Sequence, residues 1–171
     1  MTEVYVPVAG EQLNYEGLFS MREVFRIIDK YFRTKGFDKK ITFDEEYNTE
    51  KGKYIHVKSE HYKKTDSYVR LQTRLWIYAN ELVDVEKEVD GVKIKTNHGK
   101  LSITFDAFLQ TEYFSLMDDK KPMYFLFRVL YEQYLARPRI AYWENVARHV
   151  ITELKTELAG YLNLNKFLYE R

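Results

Sequence analysis

The chain of 171 residues has no cysteine, seven glycines and three prolines, and its 27 basic residues nearly cancel 26 acidic ones. Each shortage excludes something. Without cysteine there is no disulfide scaffold, and no zinc or iron–sulfur site can be built on thiolates. Glycine plus proline is well below the usual ~12%, which argues against linkers and low-complexity segments. The longest apolar runs, such as Leu75–Ala79 and Met123–Phe127, fall far short of the roughly 20 residues a spanning helix needs, so no membrane is expected. Met1–Gly10 carries Glu3 and no basic residue, which does not read as a signal peptide. A net charge of +1 removes long-range attraction to nucleic acid as a default. The expectation is one soluble cytoplasmic domain spanning residues 1–171, long enough to bury a core without a covalent staple.

Aromatic residues make up 16% of the chain, and tyrosine leads with 15. Tyrosine packs its ring while its hydroxyl seeks water or a partner, so it suits boundaries between core and surface or surface and partner.

Hydrophobic periodicity reports the elements. Ser20-Met21-Arg22-Glu23 reads as a capping box, with Phe19 before it as a staple residue. Val24, Phe25, Ile28, Tyr31 and Phe32 then recur at helical spacing, and Gly36 follows as the C-terminal stop. This predicts a helix over 20–35. From Ile41 the period becomes two. Alternating stretches follow at Ile41–Tyr47, Tyr54–Tyr62, Ser67–Glu81, Val83–Val89, Val92–Ile94 and Leu101–Leu109. Asp90-Gly91 is a two-residue hairpin signal, and Asn97-His98-Gly99 reads as another turn. Val4, Val6 and Val8 suggest a short edge strand, where Pro7 does no harm. Pro122 opens a helix ending at Arg137-Pro138, and a last helix runs from about Pro138 to Leu162, leaving 163–171 as a tail. The predicted fold class is α+β: an N-terminal helix, an antiparallel sheet of five or six strands, and two C-terminal helices on one face, in a helix-grip-like arrangement.

The chemistry is sparse. The glycines are scattered singly, so neither a P-loop nor a dinucleotide fingerprint exists. There is no Gly-x-Ser-x-Gly elbow and no Ser-x-x-Lys motif, which points away from classical hydrolases. His56, His61, His98 and His149 read as surface or boundary imidazoles, and no catalytic residue, metal or cofactor is predicted.

One surface stands out. On the strand 67–81, Val69, Leu71, Thr73, Leu75 and Ile77 alternate with Tyr68, Arg70, Gln72, Arg74, Trp76 and Tyr78. The first set faces a core, so the second faces outward. Tyr68, Arg70, Arg74, Trp76 and Tyr78 are the candidate binding residues. Trp, Tyr and Arg are the enriched hot-spot types of protein interfaces. The same mixture can stack single-stranded bases and meet phosphates, although the neutral net charge makes nucleic acid the weaker choice. Cross-strand pairing alone would also account for it. Three functions follow in order. The first is a non-enzymatic interaction module, with a protein partner or a second copy. The next is a carrier of a small apolar ligand between sheet and C-terminal helix. The last is a binder of single-stranded nucleic acid.

Tyr15-Glu16-Gly17-Leu18-Phe19, Lys63-Lys64-Thr65-Asp66, the run Asp84–Gly91 and Gly99-Lys100 resemble a group of small uncharacterised archaeal proteins. These are turn and cap features. The resemblance implies an intracellular archaeal setting and carries no activity.

Overall fold

The computed structural model describes residues 3–50, 52–65, 69–89, 92–111, 130 and 137–169. Five strands and two helices follow one another as β1 (Glu3–Phe19), α1 (Met21–Thr34), β2 (Asp38–Thr49), β3 (Gly52–Lys64), β4 (Val69–Val89), β5 (Val92–Thr111) and α2 (Arg137–Tyr169). The sheet is antiparallel throughout, in the order β1-β5-β4-β3-β2. β2 to β5 form a meander. β1 adds to the far side of β5, so α1 carries the chain from one edge of the sheet to the other. The fold is α+β, with helical residues buried against one sheet face only. The helix expected over 122–137 lies outside the described residues, apart from Leu130 and Arg137.

The core takes alternate residues from each central strand. Val69, Leu71, Thr73, Leu75, Ile77 and Ala79 of β4 meet Leu101, Ile103, Phe105, Ala107 and Leu109 of β5. Over them lie Val24, Ile28 and Phe32 of α1 and Ala147, Val150, Ile151, Leu154, Leu158 and Leu162 of α2. α2 continues helically past Leu162 to Tyr169.

Both ends of α1 are closed by identifiable groups. At its C-terminus Gly36 adopts φ +74°, and its N–H bonds Arg33 O at 3.0 Å while Phe37 N–H bonds Phe32 O at 2.9 Å. That is the Schellman pair. Its hydrophobic clasp is the edge-on contact of Phe32 with Phe37, ring centroids 5.2 Å apart. The N-terminus corrects the capping-box expectation. Ser20 makes no side-chain cap bond. Glu23 turns instead to Arg26. The first free amides are met from elsewhere in the fold: Met21 N–H donates to Asn97 Oδ1 at 3.2 Å, and Ser20 N–H to the Tyr161 hydroxyl at 3.0 Å. Tertiary acceptors have taken over a local job.

The two helices are tied at a polar crossing. The Tyr31 hydroxyl lies 2.8 Å from Glu153 Oε2, which also receives Lys35 Nζ at 2.8 Å. Hydrogen bonds from Lys35 and Tyr31 hold the Glu153 carboxyl below the usual range, and burial together with Glu153 raises the Tyr31 phenol.

The strands are longer and fewer than their periodicity suggests, because bulges shift the phase. β1 spans 17 residues with irregularities between Tyr5 and Val8 and between Val8 and Glu11, so only its first few residues alternate legibly. It is an edge strand, as Pro7 implied. The expected turn at Asn97-His98-Gly99 is instead continuous strand. Opposite it, Glu81 and Leu82 form a bulge between the pairs Asn80↔Lys100 and Val83↔His98, with Glu81 at φ +55°. Gly99 faces that bulge, where a Cβ would sit 2.9 Å from Asn80 O. On the other flank a Cβ on Gly52 would lie 2.8 Å from Leu82 O. Gly17 is paired directly with Gly99. Glycines isolated in sequence thus line up as one crease across β1, β5, β4 and β3.

Gly160, exposed on α2 with nothing near its missing Cβ, has no such role. Gly160→Ala should therefore raise stability by about 0.5–1 kcal/mol, while Gly99→Ala should lower it by more than that. Urea denaturation of the two variants measures both; equal midpoints would contradict the close approach at the crease.

Candidate functional site

The sheet face opposite the helices carries the predicted residues. Arg70, Gln72, Arg74, Trp76 and Tyr78 are all half-buried there, alternating with the buried set. Tyr68 lies outside the described residues. Strand pairing brings further groups alongside. His56, Lys58, Glu60 and Tyr62 of β3 stand directly opposite Tyr78, Trp76, Arg74 and Gln72. On β5, Thr104, Asp106 and Phe108 face Trp76, Arg74 and Gln72. Phe43, Glu45 and Tyr47 of β2 complete the rows beside Lys58, His56 and Tyr54.

The result is an aromatic cluster spread over three strands. The His56 ring stacks on Tyr78 (4.2 Å between centroids, 17°) and on Trp76 (5.8 Å, 20°), and Phe43 closes over it at 4.7 Å. Tyr47 and Tyr54 meet at 4.6 Å. Burial, with Tyr47, Tyr78 and Glu45 nearby, raises the Tyr54 phenol. His56 Nε2 is buried and has no hydrogen-bond partner among the described residues.

The cations are not free-standing. Lys58 Nζ sits 4.6 Å above the Trp76 ring. The Arg74 guanidinium lies 4.9 Å from the Phe108 ring centroid, and its Nε donates to Glu60 Oε1 at 3.1 Å. Arg70 lies 4.6 Å over Tyr62. Each arginine lies within about 5 Å of an aromatic ring centroid, a distance at which cation–π attraction adds roughly 0.5–1 kcal/mol at an exposed site. Glu60 and Asp106 flank Arg74, so the face is close to neutral locally as well as overall.

The four histidines do not gather. His56 belongs to the outer stack. His98 lies exposed on β5, and His149 sits on α2, 3.2 Å from Glu153. His61 corrects the surface expectation: it is fully buried, stacked on Phe32 at 3.8 Å and 10°. Its Nε2 lies 3.2 Å from Ser59 Oγ, and its Nδ1 has no partner among the described residues. Among the described residues no group of three His, Asp or Glu side chains forms a metal-binding set.

A second feature lies on the helical side. A groove of about 360 Å³ opens between α2, the C-terminus of α1 and the ends of β3 and β4. Phe37, Leu71, Trp143, Val146 and Val150 line it together with the ionisable groups Lys35, Lys63, His149 and Glu153.

Sequence reasoning found one strand of the outer face and missed its neighbours on β2, β3 and β5. The signal was present in the hairpin, whose last described pair is Lys64↔Arg70. Counting back from it places His56 beside Tyr78 and Lys58 beside Trp76.

Comparison with known proteins adds little. No family model matches the chain, and no curated protein matches it. A solved structure of an uncharacterised protein from Rhizobium leguminosarum is 12% identical, with a TM-score of 0.21, covering 67% of this chain and 85% of that one. A likeness so slight carries no argument about fold or function, and none of these comparisons supports the archaeal resemblance. No helix among the described residues is long and apolar enough to cross a membrane.

Burial lowers the His61 imidazole from 6.5 to about 4, with Lys39 adding to the effect. Between those values the unfolded chain binds more protons, so stability rises with pH there and falls as pH drops from 6.5 toward 4. The full loss is about 3 kcal/mol. Urea titrations at neutral pH and at pH ~4.5 should show His61→Phe losing about 2–3 kcal/mol less than the native chain over that interval. Parallel losses would mean the imidazole is not held neutral by the core.

Proposed function

We propose that this chain is a non-enzymatic interaction module whose outer sheet face, centred on Trp76 with Arg70, Arg74 and Tyr78, receives a protein partner. The supporting observation is the aromatic cluster on the sheet face that α1 and α2 leave uncovered. Trp, Tyr and Arg together supply large contact area at low conformational cost. Their rotamers are already held by stacking and by the Arg74–Glu60 bond, which reduces the entropy lost on docking. Lateral pairing of the cations with Glu60 and aromatic rings favours a mixed protein surface over a polyanion, which needs uncompensated positive charge.

The groove beside Trp143 favours a second reading, a carrier in a helix-grip arrangement. Its volume falls within the range of ligand sites, and its walls include apolar side chains beside an ionisable set of Lys35, Lys63, His149 and Glu153. A stoichiometric apolar molecule in the solvent extract of natively purified protein would promote that reading over the first.

Site-specific photo-crosslinking separates these. A photoreactive residue at Trp76 should capture a discrete protein in a lysate of the source cells, and Arg74→Ala in the same chain should reduce the capture. The same probe at Tyr142, exposed on α2, should not capture it. Identical capture from both positions, or none from position 76, would reject the outer face as the interface. Recovery of RNA at position 76, weakening steeply with salt, would transfer the face to nucleic acid.

A further inference from the structure

The two edges of the sheet are finished differently. β1 is broken by two irregularities and is tied to α2, with Arg148 Nε reaching Pro7 O at 3.3 Å and Lys155 Nζ reaching Glu11 at 2.8 Å. Among the described residues β2 is held to α1 through Lys39 and Asp29, yet all twelve of its residues are exposed, including Ile41, Phe43 and Tyr47 at 53%, 42% and 46%. An open edge of that length is a template for another strand.

The charge along β2 says which strand fits. Its first half carries Lys39 and Lys40, its second half Asp44, Glu45 and Glu46. Turned antiparallel about a point between Thr42 and Phe43, a second copy places Lys40 opposite Glu45 and Lys39 opposite Glu46. In a regular strand residues 40 and 45 would point to opposite faces. Here the irregularity between Ile41 and Phe43 shifts the phase, so Lys40 and Glu45 both lie on the outer face, paired with Glu60 and His56 of β3. Lys39 and Glu46 share the inner face, paired with His61 and Ile55. Both strands carry the same extra residue, so the ladder between them needs no further shift.

We propose that β2 pairs antiparallel with β2 of a second copy, joining two five-stranded sheets into one. The pairing runs along the backbone edge of β2 and does not depend on the outer-face interface, although Glu45 borders both. The inner-face pairs compete with contacts inside one chain, since Lys39 bonds Asp29 at 2.7 Å and Glu46 pairs with Lys53. Lys40 and Glu45 make no ion pair among the described residues, and they set the register.

The test is sedimentation velocity of the full chain over a concentration series. The native chain should self-associate, and less so as salt rises. Lys40→Glu and Glu45→Lys should each weaken association at least about tenfold, because each sets like charges against one another across the two-fold. Mixed in equal amounts, the two variants should associate again, since every facing pair is then opposite in sign. A chain carrying both substitutions should self-associate like the native one, which controls for folding damage. A native chain that stays monomeric at every concentration, single variants that associate normally, or a mixture that stays monomeric would each overturn the proposal.

Discussion

One-sided burial is the constraint from which the rest follows. α1 and α2 cover a single face of the sheet, so β3, β4 and β5 commit every second residue to the core and leave the alternate ones outside. Slipping one strand by one residue would put Leu75 and Ile77 in water and Arg74 and Trp76 beneath the helices. The register is therefore held tightly, and with it the composition of the outer face. No backbone element packs on that face among the described residues. Its aromatic rings and cations stabilise it by covering one another, with Lys58 on Trp76, Arg70 on Tyr62 and Arg74 on Phe108.

The same constraint explains what could be read from the sequence. Where a strand runs regularly with one side buried, as β4 does from Val69 to Ala79, composition alternates and the two faces can be assigned residue by residue. α1 was equally legible, since Val24, Ile28, Tyr31 and Phe32 form its buried stripe and Gly36 stops it. Legibility failed where the phase slipped. Bulges in β1 scramble its alternation, and the bulge at Glu81-Leu82 made β4 read as two strands. Gly99, a turn residue by composition, sits in an unbroken strand, where its missing Cβ lets the backbone of Asn80 approach. Ser20 has every local mark of a cap, yet its side chain makes no cap bond, and Asn97 and Tyr161, distant in sequence, accept from the Met21 and Ser20 amides instead. Most of the candidate site was hidden for a related reason. Its second and third strands become neighbours of Trp76 only after the hairpin registers are known.

His56 and His61 show how a strand can treat one residue type in two ways. They are separated by an odd interval on β3, so one faces out and the other in. His56 is flattened among aromatic rings at the surface, while His61 lies against Phe32 and joins β3 to α1. A helical stop, an aromatic clasp and a buried imidazole meet around Phe32, which touches Tyr31, Phe37 and His61. That one ring joins the end of α1 to the strand beneath it.

The line of glycines through Gly17, Gly99 and Gly52, with the Glu81-Leu82 bulge between, divides the sheet into two plates. The larger plate is anchored by the helices. The smaller one, built from the distal halves of β4 and β5, projects past Val83, which is already exposed. Substitutions near the tip of this hairpin would bear on the anchored plate less than changes at Asn97, which accepts the Met21 N–H at the start of α1. Evolution could thus revise the tip as an independent module while the body stayed constant.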